Sequence, residues 1–254
     1  MAQQTEAVRR APLNRDRVLR AAAALADETG IGSLSMRKLA QQLGVVPMAL
    51  YKHVANKEEL LDGMVDVVIG EIDPPARDTD WKAAVRQRVL SARQALLRHP
   101  WASRVIETRT DRTPVVLAYM DSMTGMFLAG GFSPDLTHHV MHALGNRMWG
   151  FTRELFDDGQ GARSGGPDRP QPTFDEMAKR YPHIVEIAMA ATQGDPSAVG
   201  RGCDEQFEFE FALDLLLDGF ERLRDRGWTS RPDRGSAGAR ASGQAGQVRG
   251  GAAR

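Results

Sequence analysis

From residue 14 to residue 72 the apolar positions recur at intervals of three and four, broken by glycines and short polar steps. Val18, Ala21, Ala22, Leu25 and Ala26 fall at i, i+3, i+4, i+7 and i+8, which predicts a helix with Asn14 as N-cap and Gly30 as its stop. A second, shorter helix starts near Ser35 and turns Leu39, Ala40 and Leu43 to one face. A third is expected over residues 47–53, anchored by Leu50 and Val54. Gly44 lies between them, where a sharp reversal needs positive φ and no Cβ. The small Ala40 lets the third helix come close, and Leu50 plugs the angle between the two. This is the spacing of a helix-turn-helix, whose second helix enters the DNA major groove. Asn56 and Glu59 then form a capping box that opens a fourth helix, with its N–H groups and positive end free for a phosphate.

Beyond Asp73-Pro74-Pro75 a new helical series begins at Trp81 and runs through Val85, Arg88, Val89, Ala92 and Leu96 to His99-Pro100. A short helix is expected over 101–107, and another over 114–128, stopped by Gly130-Gly131. Ser133 and Pro134 supply the N-cap and first turn of a helix carrying Leu136, Val140, Leu144, Met148, Phe151 and Leu155. Residues 173–191 read as helical again and suit a flap over a pocket. The last long helix, 204–226, places Phe207, Phe211, Leu215 and Leu223 along one face. With Phe209, Leu213, Leu216 and Leu217 added, it is too apolar for one buried stripe and calls for a second partner, core or subunit. No alternating strand pattern appears, so the fold class is all-α. Residues 157–172, rich in Gly and Pro, lack the bulky apolar groups that would offset ordering entropy and are expected to be a mobile loop. The resulting division is a flexible arm (1–12), a three-helix helix-turn-helix domain (13–72), a second helical domain (78–228) and a disordered tail (229–254).

A chain of 254 residues has room for two such domains. Its 33 basic and 33 acidic side chains cancel, which argues against bulk binding to nucleic acid. The balance is local, however: residues 1–60 carry nine Lys or Arg against six acids, enough for a few phosphate contacts. Arg37, Lys38, Tyr51, Lys52, His53 and Lys57 crowd the motif with donors for phosphates and base edges, which an ordinary core hairpin would not need. A single cysteine, Cys203, excludes a disulfide framework and fits a reducing compartment. No apolar run is long enough for a membrane span and no signal peptide opens the chain, so a soluble cytoplasmic protein is expected.

The run LNRDRVLRAAAALADETGIGSLSMRKLAQQLGV, followed by ALYKHVANKEELLD, resembles the tetracycline-repressor (TetR) family of one-component transcriptional regulators. The segments LLRHP, AGGFSPD and DEQFEFEFALDLLLDGFE resemble the C-terminal domain of the same family. The resemblance implies that Arg37 and the recognition-helix residues Pro47, Met48 and Ala49 face bases, while Tyr51, Lys52, His53 and Lys57 grip phosphates. Pro47 and Ala49 are apolar where the tetracycline repressor has polar side chains, so the operator sequence should differ. For Tyr51 and His53, locking the third helix onto the first is an equal competitor. The resemblance also implies a homodimer on a palindromic operator, with the helix after the glycine turn and the last helix forming a four-helix interface.

A pocket is implied as well, and the many methionines and aromatic residues of the second domain suit an apolar or aromatic small molecule, although core packing explains the same residues. The candidates are Trp101, Ile106, Met123, Phe127, His142, Met148, Trp149 and Phe156. Ile106 and Phe156 fall at or near the positions where the tetracycline repressor holds its drug's metal ion, so tetracycline–magnesium is not the expected inducer. His138, His139 and His142 form H-H-x-x-H, and His138 and His142 have a spacing that can bind metal. No Glu lies between them and no third ligand stands at fixed spacing, so polar groups of a pocket or dimer surface are the favoured reading. No cofactor, metal site or catalytic residue is expected, since no nucleophile–base pair or phosphate loop is present. The reading is a repressor released from double-stranded operator DNA by an unknown inducer. The alternatives are an activator of the same fold or a helical metal-binding enzyme using His138 and His142.

Overall fold

The computed structural model describes residues 12–146, 174–191 and 204–231, and every extended element within them is helical. Helix α1 (Arg15–Thr29) starts where the Asn14 side chain accepts the Arg17 N–H at 2.8 Å, and buries Val18, Leu19, Ala22, Ala23, Leu25 and Ala26. A 3-10 turn (Ile31–Ser33) leads to α2 (Met36–Leu43), capped by Ser35, whose side chain accepts from the Lys38 N–H at 3.3 Å. Gly44 then adopts the left-handed conformation at φ 68°. Its N–H reaches Gln41 O at 3.1 Å and that of Val45 reaches Ala40 O at 3.0 Å, closing the helix end.

Helix α3 (Pro47–Leu50) is shorter than the expected 47–53. Residues 51–53 form a turn, because the Leu50 carbonyl accepts from both His53 N at 2.8 Å and Val54 N at 3.0 Å. The turn buries Leu50 and Val54 together and aims the chain into α4 (Lys57–Gly70). Asn56 caps α4 by accepting the Glu59 N–H at 2.8 Å. The Glu59 carboxylate reaches back to the Ala55 N–H at 2.7 Å, one residue before the donor an ideal capping box would use. Gly63 lets α1 and α4 meet closely: a Cβ there would stand 2.5 Å from a Leu19 methyl.

The second domain follows as α5 (Trp81–Arg98), α6 (Ala102–Glu107), α7 (Pro114–Ala129), α8 (Pro134–Gly145), α9 (Phe174–Arg180), α10 (Pro182–Ala191) and α11 (Glu205–Asp225). Val85, Val89, Ala92 and Leu96 of α5 are buried. Trp81, Phe127, Phe132 and Phe220 form an aromatic cluster in which Trp81 meets Phe132 edge-on at 4.7 Å and Phe127 meets Phe132 at 5.2 Å. Of the two apolar sides of α11, the buried one is Phe209, Leu213, Leu217 and Phe220. Phe207, Phe211 and Leu215 point outward, at 62, 54 and 57 % exposure. Ion pairs accompany this rotation: Lys82 reaches Asp218 at 2.6 Å and Glu221 at 2.8 Å, and Arg86 reaches Glu210 and Asp214 at 2.7 Å each.

A polar junction ties the two domains together. Asp27 of α1 accepts the Trp101 indole N–H at 2.6 Å and lies 2.9 Å from His99 Nδ1. His99 Nε2 lies 3.1 Å from Glu71, just past α4, which also takes Arg98 at 2.8 Å. Burial pushes the Glu71 carboxyl up, but hydrogen bonds from Arg98 and His99 outweigh it and hold the group below the ordinary range. The expected arm up to residue 11, the loop 157–172, Cys203 and the tail beyond residue 231 lie outside the described residues.

Candidate functional site

The start of α2, the short α3 and the first turn of α4 form one outer edge of the first domain. Buried Leu39, Leu43, Leu50 and Val54 hold it from beneath. Arg37, Lys38, Pro47, Met48, Tyr51, Lys52 and Lys57 are exposed along it, and Ala49 and His53 are half-buried. Tyr51, at 46 % exposure, is therefore not sealed into the helix packing. Arg37, Lys38, Lys52 and Lys57 make no ion pair among the described residues, whereas Lys82, Arg86, Arg98 and Arg109 each face a carboxylate. Cations left uncompensated on one edge project a positive field, which is what phosphate binding needs. Among them stand two exposed apolar side chains, Val46 at 67 % and Met48 at 71 %, suited to thymine methyls. Val46 was not expected from the sequence; its place just before Pro47, at the mouth of the recognition helix, was the available signal.

A cavity of about 670 Å³ lies between the second domain and α4. Its walls come from α4 (Asp62, Val65, Ile69), from Ile106 of α6, from the loop ending in Thr113, and from α7 and α8. Of the candidate ligand residues, Ile106, Met123 and His142 lie in this wall. Trp101 and Phe127 do not, which corrects their expected role. The Trp101 indole is committed to Asp27 at the domain junction, and Phe127 is drawn into the aromatic cluster of Trp81, Phe132 and Phe220. Met148, Trp149 and Phe156 lie outside the described residues. The sequence reading missed the α4 contribution altogether. A signal existed, because Val65, Val68 and Ile69 add a second apolar side to a helix that already buries Leu60 and Met64 on the first domain.

Polar contacts fasten the loop between α6 and α7 to α4. Arg109 reaches Glu58 at 2.6 Å and Asp62 at 3.4 Å. The Thr113 hydroxyl donates to Asp66, whose carboxyl burial pushes up against that hydrogen bond. Tyr119, also in the wall, is driven by burial to a pKa of about 12, opposed by the Arg88 guanidinium 4.9 Å over its ring, so it stays a neutral phenol. The His138 and His142 rings meet edge to face at 4.7 Å. No group of three metal-ligating side chains occurs among the described residues. No helix among them is long and apolar enough to cross a membrane.

Comparison with known proteins agrees with both halves of this picture. The family model for bacterial regulatory proteins of the tetR family matches residues 18–64, and that for the tetracyclin repressor-like C-terminal domain matches residues 74–224. The chain is 31 % identical over 221 residues to the HTH-type transcriptional repressor DrrR1 of Streptomyces coeruleorubidus, covering 83 % of this chain and 78 % of that protein. It is 38 % identical over 211 residues to the class A tetracycline repressor protein from transposon 1721 of Escherichia coli, covering 82 % and 90 %. It also superposes on the Streptomyces coelicolor TetR family protein ActR in complex with actinorhodin, with a TM-score of 0.63, 25 % identity, and coverage of 84 % and 98 %. Family models over both domains, together with relatives at this identity and coverage, show that the chain belongs to the TetR family of DNA-binding, ligand-responsive transcriptional repressors and is not an enzyme.

Proposed function

We propose that this chain represses transcription in the cytoplasm as a homodimer on a palindromic operator, and leaves the DNA when a small apolar or aromatic inducer fills the cavity. One observation carries this reading. Helix α4 is a single element whose first residue, Lys57, belongs to the basic edge and whose Val65 and Ile69 belong to the cavity wall. A ligand pressing on that wall displaces the same helix that Gly63 packs tightly on α1, so the head moves as one body. Arg109 and Thr113 fasten the α6–α7 loop to α4 and pass on any movement of that loop. The effect of the inducer equals its difference in affinity for the DNA-competent and released states.

In this reading residues 13–72 form the DNA-binding head and 78–228 the effector domain. Arg37, Pro47, Met48 and Ala49 face base edges and methyls; Tyr51, Lys52, His53 and Lys57 hold phosphates. The exposed Phe207, Phe211 and Leu215 supply an apolar face for the second subunit, and two-fold symmetry sets the recognition helices one DNA turn apart. The ligand of ActR is a precedent for an aromatic effector in this fold. A gel shift with DNA from upstream of the protein's own gene tests the reading. A specific, salt-sensitive shift that a cavity-binding aromatic compound reverses supports it. No specific shift at any salt concentration sinks it.

A further inference from the structure

The junction between the two domains places one buried ring between two acids. His99 closes α5, where its N–H donates to Ala95 O at 3.1 Å and its carbonyl accepts the Ala102 N–H at 2.8 Å, which fixes the residue at the corner between α5 and α6. It is 8 % exposed, and each ring nitrogen faces a carboxylate carried by the DNA-binding head. Nδ1 lies 2.9 and 3.0 Å from the two Asp27 oxygens of α1, and Nε2 lies 3.1 Å from Glu71, just past α4. An ionised carboxylate only accepts hydrogen bonds, and a neutral imidazole has a single N–H. Both contacts are hydrogen bonds only when each ring nitrogen carries a proton. Against the opposing pull of burial, hydrogen bonds from Arg98 and His99 and their charges hold Glu71 ionised. The other groups around the ring are already engaged. Arg98, from the same helix, binds the second Glu71 oxygen at 2.8 Å, and the Trp101 indole N–H goes to Asp27 at 2.6 Å. Arg20 of α1 is paired with Asp16 and also feels the Glu71 charge.

We propose that His99 is a positioning residue for operator binding. As an imidazolium it bridges Asp27 and Glu71 and seats the DNA-binding head on the α5–α6 corner; as a neutral ring it holds only one of them, and operator affinity falls. The inference rests on the operator reading given above and adds the group that orients the head. Both bridged ends lead back to the basic edge, since α1 packs on α4 at Gly63 and α4 begins at Lys57. Arg98 and the Trp101 indole keep their own holds on Glu71 and Asp27, so the head stays attached when the ring loses a proton. It shifts all the same. The deprotonated nitrogen turns a lone pair toward a carboxylate oxygen at hydrogen-bond distance, and that acid moves off. A head freed at one end samples more orientations, and the fraction competent for DNA declines. The sign follows: the bridge is complete while both nitrogens are protonated and is lost as pH rises and one proton leaves.

The test uses the full-length protein with isotopically labelled histidine, and the fragment of upstream DNA that gives the specific shift. Ring-nitrogen NMR spectra, with His99 identified by its absence from His99→Gln, should show both of its nitrogens protonated where operator binding is strongest. Wild-type affinity should fall several-fold over the pH interval in which those spectra lose one proton. His99→Gln should lack this step and bind at low pH as weakly as the wild type binds after the step. Glu71→Gln supplies the rescue. Its amide can turn its oxygen to Arg98 and an N–H to a neutral His99 ring, so both contacts survive deprotonation and affinity should hold as pH rises. Any pH dependence contributed by His53 at the DNA edge is common to the three proteins and cancels in the comparison. If His99→Gln does not fold, the wild-type and Glu71→Gln profiles decide. A singly protonated ring at the pH of strongest binding would overturn the assignment, as would parallel profiles in the wild type and Glu71→Gln; both leave the operator reading intact. No specific binding at any pH would remove the operator reading and the positioning role with it.

Discussion

Met64 on α4 and Met123 on α7 are sealed from solvent to the same degree, at 0 % and 1 % exposure, yet they face different surroundings. Met64 follows Gly63, where α1 and α4 approach so closely that a Cβ would clash with Leu19. Met123 borders a cavity of about 670 Å³. The head is packed as a solid, which suits a part that must carry recognition residues as a rigid unit. The effector domain gives up packing along one side of α4, α7 and α8 and keeps space that a ligand can fill. The largest effect should therefore come from the head. Met64→Ala should cost about 2–5 kcal/mol, as expected for a fully buried side chain with no room to collapse. Urea unfolding measures it, and a loss well under that range would show that the head is looser than its geometry implies.

Next in size come the exposed cations of the head, whose proposed role is in DNA binding and not in folding. Arg37→Ala should cost about 1–3 kcal/mol against the preferred base pair and relax preference there, as the loss of a forked contact does. Lys57→Ala should weaken every sequence alike and reduce the slope of log K against log salt by about one. Binding titrations on a set of single-base operator variants separate the two. Uniform losses for both variants would remove Arg37 from the base-reading role.

The junction between the regions gives a smaller effect with a sign that can be worked out. Hydrogen bonds from Arg98 and His99 hold the Glu71 carboxyl below its ordinary range against the opposing pull of burial. Its folded pKa is thus lower than its unfolded one. Its contribution is full above the ordinary glutamate value and fades as pH falls through the lowered folded value. Glu71→Gln should flatten the acid limb of the stability curve over that window and leave neutral pH behaviour less affected. Melting temperatures across an acid series test this, and an unchanged acid limb would mean that the Glu71 charge does not hold the junction.

The head was legible because its signals are local. Asn14, Ser35, Gly44 and Asn56 sit within a few residues of the bonds they make, and Leu39, Leu50 and Val54 follow helical spacing within one short segment. The cavity was harder to read, since its wall joins residues from Asp62 to Gly145 on helices whose rotation depends on distant partners. Phe127 and Met123 are one turn apart on α7, and sequence gives no reason to send one to Trp81 and the other to the cavity. The outward stripe of α11 shows the same limit. Helical period shows that Phe207, Phe211 and Leu215 share a face, but the burial of Phe209, Leu213, Leu217 and Phe220 against helices far off in sequence decides which way it looks.

The smallest effect on stability should come from the cavity wall, and it gives the sharpest contrast with Met64. Met120 lines the cavity and is 36 % exposed, so much of its surface is already outside the packed core. Met120→Ala removes little buried area and adds to a space that already exists, so it should cost less than about 1 kcal/mol. It should nevertheless change ligand affinity, because a flexible thioether that adapts to the ligand has been replaced by a methyl group. Parallel urea curves for Met64→Ala and Met120→Ala, with calorimetric titration of an apolar aromatic compound that binds the wild type into the second variant, measure both halves. A large stability loss at Met120 with unaltered ligand binding would mean that the cavity wall is core like the head, and the contrast between the two regions would not hold.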